Sequence, residues 1–97
     1  MDEIRFEWNT KKDAANQKKH GVSFVEAQTV FYDENARLIH DQDHSTDEDR
    51  FLIMGISRNF RLLVVVHCYR EAENIILIIS ARKASNNERK QYEEFLT

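Results

Sequence analysis

Between Ile75 and Tyr92 the chain reads IILIISARKASNNERKQY, an apolar run that ends abruptly in two cations and then a capped, charge-rich segment. Five consecutive apolar residues, Ile75 to Ile79, predict a strand buried on both faces. Arg82 and Lys83 at its exit therefore sit on a rigid support, where side chains that hold an anion in fixed geometry belong. The plainer alternative is that the two cations only mark where the strand leaves the core. On strict alternation, Ile76, Ile78, Ser80 and Arg82 share one face of this strand, and Ile75, Leu77, Ile79 and Ala81 share the other.

Working back from that strand, Leu62 to Tyr69 and Phe51 to Ile56 have the same apolar character. The links SRNF and REAEN are short enough for hairpins, so the three strands predict an antiparallel meander, with Ala36 to His40 as an edge strand. Ile4 to Trp8 predicts a first short strand. Asn9 or Thr10 caps a helix through KKDAANQKKH, which stops at Gly21. Ser23 and Glu26 have the spacing of a capping box and open a second helix, whose apolar face is Phe24, Ala27, Val30 and Phe31. Ser85 and Glu88 repeat the device for a last helix, with Tyr92, Phe95 and Leu96 as its apolar contacts. The order is β-α-α-β-β-β-β-α: an α+β fold in which two N-terminal helices and one C-terminal helix pack on an antiparallel sheet of four to five strands. At 97 residues, with no proline and two glycines, nothing reads as a linker, and residues 1–97 form one small domain.

Composition narrows the function classes. Net charge is −3, so the chain as a whole is not a basic nucleic-acid binder. The charges are segregated, however. Asp41 to Asp49, DQDHSTDED, holds five acids and no lysine or arginine, whereas Lys11, Lys12, Lys18 and Lys19 cluster early and Arg82, Lys83, Arg89 and Lys90 late. Local patches of this kind bind phosphates even on an acidic chain. No apolar run is long enough for a membrane helix and the N-terminus lacks a signal-peptide pattern, which with a single cysteine predicts a cytoplasmic protein. Cys68 reads as a small core residue.

Four histidines and the acidic run are the remaining candidates for chemistry. The acids alternate as in a calcium loop, but Thr46 stands where that loop needs glycine and Leu52 where it needs a bidentate glutamate, so a solvated hairpin loop is the better reading. No other cluster has metal-ligand spacing, and no metal or cofactor is expected. His20 ends the first helix, where its dipole favours a cation. His67 lies in a core strand beside Leu63, Val65 and Tyr69 on its own face, either as a satisfied core histidine or as a proton-transfer group at the sheet surface. His40 and His44 flank or enter the acidic loop.

Taken in order, FEWNTKKDAANQKKHGVSFVEAQTVF, DRFLIMG, LLVVVH and IISARKASNNERKQYE resemble the BrnT family of bacterial type II toxins, ribonucleases with a fold like the RelE and ParE toxins. The resemblance runs from Phe6 to Glu93, and KHGVSF together with SARKA and its following ER pair is its specific part. One departure is Asn9 in place of the family's usual aspartate, which changes little because both residues cap helices well. The resemblance implies a metal-independent endoribonuclease that blocks translation, in which the ribose 2′-hydroxyl attacks the adjacent phosphorus and the 5′-oxygen leaves. Such chemistry needs a base, an acid and cations around the phosphate. Arg82 is the candidate cation, because its planar fork matches two phosphate oxygens. Arg50, Lys19 and Lys83 are further phosphate-binding candidates, and His20 and His67 are candidates for proton transfer. The resemblance also implies a ribbon-helix-helix antitoxin of the BrnA kind, pairing two-to-two with the toxin and carrying all contact with operator DNA. Relatives of the same fold that bind DNA gyrase, or that keep only antitoxin binding, are the alternatives, since function lives in the site and not in the fold.

Overall fold

The computed structural model describes residues 3–40, 50–70 and 74–96. The acidic run at 41–49, with His44, lies outside them. Strands β1 (Arg5–Glu7), β2 (Arg37–His40), β3 (Phe51–Ile56), β4 (Leu62–Arg70) and β5 (Ile75–Lys83) form one sheet in the order β1-β5-β4-β3-β2. Helices α1 (Thr10–His20) and α2 (Phe24–Thr29) follow β1, a single 3-10 turn (Val30–Tyr32) follows α2, and α3 (Asn86–Leu96) ends the described chain. The expected element order is present. The pairings among β2, β3, β4 and β5 are antiparallel, whereas β1 pairs in parallel with β5, so the sheet is mixed. Pairing with the last strand places the N-terminal strand at the sheet edge, and local sequence pattern carries no trace of that choice. No helix among the described residues is long and apolar enough to cross a membrane.

Local chemistry accounts for the helix boundaries. The Asn9 side chain accepts from the N–H groups of Lys11 and Lys12 at 2.9 and 3.0 Å, and Gly21 closes α1 in the left-handed region at φ +70°. Ser23 caps α2 through the Glu26 N–H at 3.0 Å, and Asp13 of α1 accepts from the Phe24 N–H at 2.9 Å. The box at α3 is reciprocal: Glu88 N–H donates to Ser85 Oγ at 3.2 Å and Ser85 N–H to Glu88 Oε1 at 2.8 Å.

Each face of the sheet carries a core. Val22, Phe24, Ala27 and Val30 pack on Ile53, Leu63, Val65, Ile78 and Ala81, while Tyr92 of α3 packs on Leu52, Met54, Leu62 and Val64 across the sheet. The helices therefore sandwich the sheet. One departure from strict alternation matters for function. Val66 is opposite Ser80 but His67 is opposite Ile78, so Ile79 is an extra residue in a β-bulge. The bulge reverses the parity of β5, which is why Ile78 and Ala81, three residues apart, share the α1–α2 core. Ser80 and Arg82, opposite Val66 and Val64, instead face α3. The expectation that Ile76, Ile78, Ser80 and Arg82 share one face is thereby corrected.

Gly55 is fixed by close approach. A Cβ there would lie 3.0 Å from Val30 Cγ1, 3.1 Å from Ala36 Cβ and 3.1 Å from Asp33 Oδ2. Asp33 Oδ2 already accepts from the Ile56 N–H at 2.7 Å and from the Tyr92 hydroxyl. Gly55→Ala is therefore expected to lower stability by about 1–3 kcal/mol through overpacking, measured by chemical denaturation. An unchanged denaturation midpoint would show that this contact gives way freely.

Candidate functional site

The end of β5 carries Arg82 in a fixed pose. Its Nη1 and Nη2 donate to the two Glu88 carboxylate oxygens at 2.7 and 2.9 Å, a bidentate fork, and Nη1 also reaches the Lys83 carbonyl at 3.3 Å. The Arg82 side chain remains 40% exposed. The Arg82 guanidinium holds the Glu88 carboxyl well down, from its ordinary 4.5 to about 2, against the opposing effect of partial burial. Glu88 thus both caps α3 and aims the arginine. Lys83, opposite Leu63, is exposed on the α1 side of the sheet. The two cations straddle the end of the strand.

Asn16 brings the end of α1 to the same place. Its buried side-chain amide donates to the Ala81 carbonyl at 2.9 Å and to the Val22 carbonyl at 2.8 Å, and accepts from the Ala81 N–H at 3.1 Å. Since β1 pairs with β5 only as far as Leu77, Asn16 supplies at Ala81 the donor and acceptor that a neighbouring strand would. Lys18, Lys19 and His20 form the last turn of α1, the turn that follows Asn16 and its contact with Ala81. Lys19 is exposed and His20 half-buried.

The β3–β4 hairpin closes this end of the molecule. Arg61 forks onto Glu26, with Nε to Oε2 at 2.9 Å and a second bond from Nη2 to Oε1, and Nη2 also donates to the Gly21 carbonyl at 3.0 Å. Ser57 Oγ donates to Glu26 Oε2 at 2.7 Å. The hydrogen bond from Arg61 holds Glu26 far below its ordinary 4.5, at about 2, and outweighs the burial that pushes it up. Sequence reasoning assigned Glu26 only to a capping box. In fact half the box forms, and the carboxylate turns to Arg61 and Ser57 instead of the Ser23 N–H. The available signal was its place at the border of the apolar face, beside Val30 at about 100° per residue, where a carboxylate that becomes buried needs a cationic partner. The position of that partner, 35 residues on, is a property of the tertiary fold.

His67 and Arg50 do not join this cluster. His67 is opposite Phe51, three residues along β4 from the partner of Arg82, roughly 10 Å at about 3.3 Å per residue. Its ring is wholly buried among Phe31, Phe51 and Tyr69, with centroid distances of 4.8, 6.1 and 5.2 Å. Nδ1 lies 3.2 Å from the Val65 carbonyl and Nε2 lies 3.3 Å from the Tyr69 hydroxyl. Burial holds its pKa below 6.5, against the weaker pull of the Val65 carbonyl, so the ring is neutral at pH 7. The core role fits this geometry and the proton-transfer role does not, because a ring without solvent access cannot meet a substrate. Arg50 precedes β3 at that same far end. Among the described residues, no three His, Cys, Asp or Glu side chains come together as metal ligands would.

Comparison with known proteins decides the family. A profile described as "Ribonuclease toxin, BrnT, of type II toxin-antitoxin system" matches residues 8–88. The chain belongs to the BrnT family. No curated protein matches. Among solved structures, the fold is similar to the 1.1 Å crystal structure of the Brucella abortus ribonuclease toxin BrnT, with a TM-score of 0.65 and 22% identity over 86% of this chain and 99% of that one. At that identity the likeness shows the fold. The family profile supplies the rest: BrnT proteins are ribonuclease toxins of type II systems, so RNA is the target and a protein antitoxin the partner.

The two depressed glutamates set an acid limit for this BrnT protein. A carboxyl whose pKa is lowered on folding stabilises the fold fully above its unfolded value, near 4.5, and progressively less as pH falls towards about 2. Stability is therefore expected to drop between pH 4.5 and 2, and Glu26→Gln to flatten that dependence while costing about 2–3 kcal/mol at neutral pH. Denaturation midpoints of both proteins across this range check it, and an equally steep acid limb in the variant would assign the loss to other groups.

Proposed function

We propose that residues 1–97 act as one toxin domain, a metal-independent endoribonuclease that arrests growth in the cytoplasm by cutting RNA needed for translation. The observation that carries this reading is the pre-aimed Arg82 at the end of β5, followed by Lys83. In the proposed step the substrate's 2′-oxygen bonds to phosphorus and the bond to the 5′-oxygen breaks, leaving a 2′,3′-cyclic phosphate and a 5′-hydroxyl. The proton lost from the 2′-hydroxyl is balanced by one gained at the 5′-oxygen. Negative charge accumulates on the non-bridging oxygens, where a guanidinium already held in place stabilises it without reorganising. Lys19 and Lys83 bind flanking phosphates. His20, half-buried at the helix end, is the histidine of this cluster with access to substrate and takes the proton-transfer role. Arg50, at the far end of β3, binds a phosphate farther along the strand if the RNA runs the length of the sheet.

A two-to-two complex with a ribbon-helix-helix antitoxin accounts for control, the antitoxin covering the cationic strand end and alone contacting operator DNA. An acidic partner surface meets this end, since an acidic toxin with a local basic rim pairs by complementarity of patches and not of net charge.

Purified protein incubated with RNA, with and without EDTA, tests the reading. Cleavage is expected in both conditions, and Arg82→Ala is expected to reduce it about a hundredfold or more while near-native unfolding confirms that the variant folds. Cleavage abolished by EDTA would remove the metal-free mechanism. Intact RNA with inhibited supercoiling would move the chain to the gyrase-binding class.

A further inference from the structure

The β3–β4 hairpin presents an aromatic ring that the fold does not use. Phe60 is 88% exposed and adopts φ +62°, the left-handed region that glycine or asparagine occupies without strain. The turn is closed by the Phe60 N–H to the Ser57 carbonyl at 2.9 Å and by the Ser57 N–H to the Arg61 carbonyl at 2.8 Å. Its base is fixed to α2 and its preceding loop by Glu26, by Thr29 Oγ1 accepting from the Arg58 N–H at 2.9 Å, and by Arg61 on the Gly21 carbonyl. A phenylalanine at this position is unfavourable twice over, in backbone strain and in exposed apolar surface, and the rigid tip gives the ring no route to the core.

The surroundings indicate what the ring meets. Phe60 lies between Asn59 and Arg61, with Arg58 just before, so its neighbours along the chain are polar or cationic and not the aliphatic and aromatic cluster that protein interfaces bury at their centres. The hairpin adjoins the phosphate-binding end of β5, because the Leu62 carbonyl accepts from the Ala84 N–H at 3.0 Å. On its other side Ser57 and Arg58 line an open cavity of about 320 Å³ with exposed Tyr32. An exposed aromatic face flanked by cations along the chain is the arrangement on which unpaired bases stack while their phosphates are held alongside. Proteins carry this burden at functional positions and lose stability for it.

We propose that Phe60 is a stacking platform for an unpaired base of the RNA, beside the phosphate held at Arg82. This rests on the ribonuclease reading above. The test uses the purified toxin and a single-stranded 2′-O-methyl RNA oligonucleotide, which binds without being cut, together with a cleavable RNA of the same sequence. Phe60→Gly is expected to raise the unfolding midpoint, because glycine relaxes the turn. It is also expected to weaken oligonucleotide binding roughly five- to a hundredfold, lowering kcat/KM in parallel and changing the cut-site preference. Phe60→Trp restores binding. If Phe60→Gly binds and cuts RNA as the wild type does, the proposal is overturned. A variant that loses antitoxin affinity while handling RNA normally also overturns it, and assigns the ring to the protein partner. If the wild type binds the oligonucleotide but cuts nothing, the ribonuclease reading fails while binding still decides the role of Phe60.

Discussion

The arrangement of this molecule depends on one side-chain amide. β1 is three residues long and its partner β5 is nine, so among the described residues most of the outer edge of β5 has no strand beside it. An unpaired, buried peptide group costs roughly 1–3 kcal/mol. Asn16 removes that cost at Ala81 by offering one donor and one acceptor in the spacing of a peptide, and it spends its second donor on the Val22 carbonyl. Closing the sheet edge with a helical residue also docks α1 against the last residues of β5, one turn before its own cationic end. The same contact thus joins the helix, the loop at Val22 and the last strand.

β3 solves the same problem differently. β2 pairs with it from Phe51 to Met54, and beyond that point Asp33 accepts the Ile56 N–H. Burial alone would raise the Asp33 pKa. The hydrogen bonds from Tyr92, Ile56 and Asn35 more than offset it, and the carboxyl is held below its ordinary value. The Tyr92 hydroxyl belongs to α3 on the opposite face, so one carboxylate joins the sheet edge, the 3-10 turn and the last helix. Tyr92 is correspondingly pushed up to about 12 by burial and by the adjacent negative charge, and stays protonated as the donor. A Cβ at Gly55 would crowd this same oxygen, which explains a glycine within a buried strand.

Most of this architecture was legible because it is local. Helix caps at Asn9, Ser23 and Ser85, the stop at Gly21 and the three apolar strands depend on neighbours a few residues away, and the sequence carries them openly. The BrnT motifs KHGVSF and SARKA were legible for a related reason: they sit at the two sides of the Asn16 contact, where Val22 and Ala81 share one amide. Four features were not legible. The bulge at Ile79 leaves no mark in a run of similar aliphatic residues, yet it decides which face Arg82 takes. The parallel pairing of β1 and the Glu26–Arg61 fork join residues far apart in sequence. His67 has the same neighbours under either role, and only the closure of Phe31 and Phe51 over its ring separates a core histidine from a catalytic one.

The pairing of Arg82 with Glu88 raises a question of strategy, since a carboxylate on the guanidinium reduces the positive charge available to phosphate. An unpartnered arginine would offer more field but would sample many rotamers, and that freedom would be lost on binding. Fixing it with a residue that also caps α3 ties the orientation of the guanidinium to the start of a helix, so the geometry is set by folding and not by substrate. In the proposed site Lys19 and Lys83, on flexible stems, supply charge where Arg82 supplies direction. A site built this way gains little from total charge, so a net charge of −3 is compatible with the RNA-binding edge proposed above.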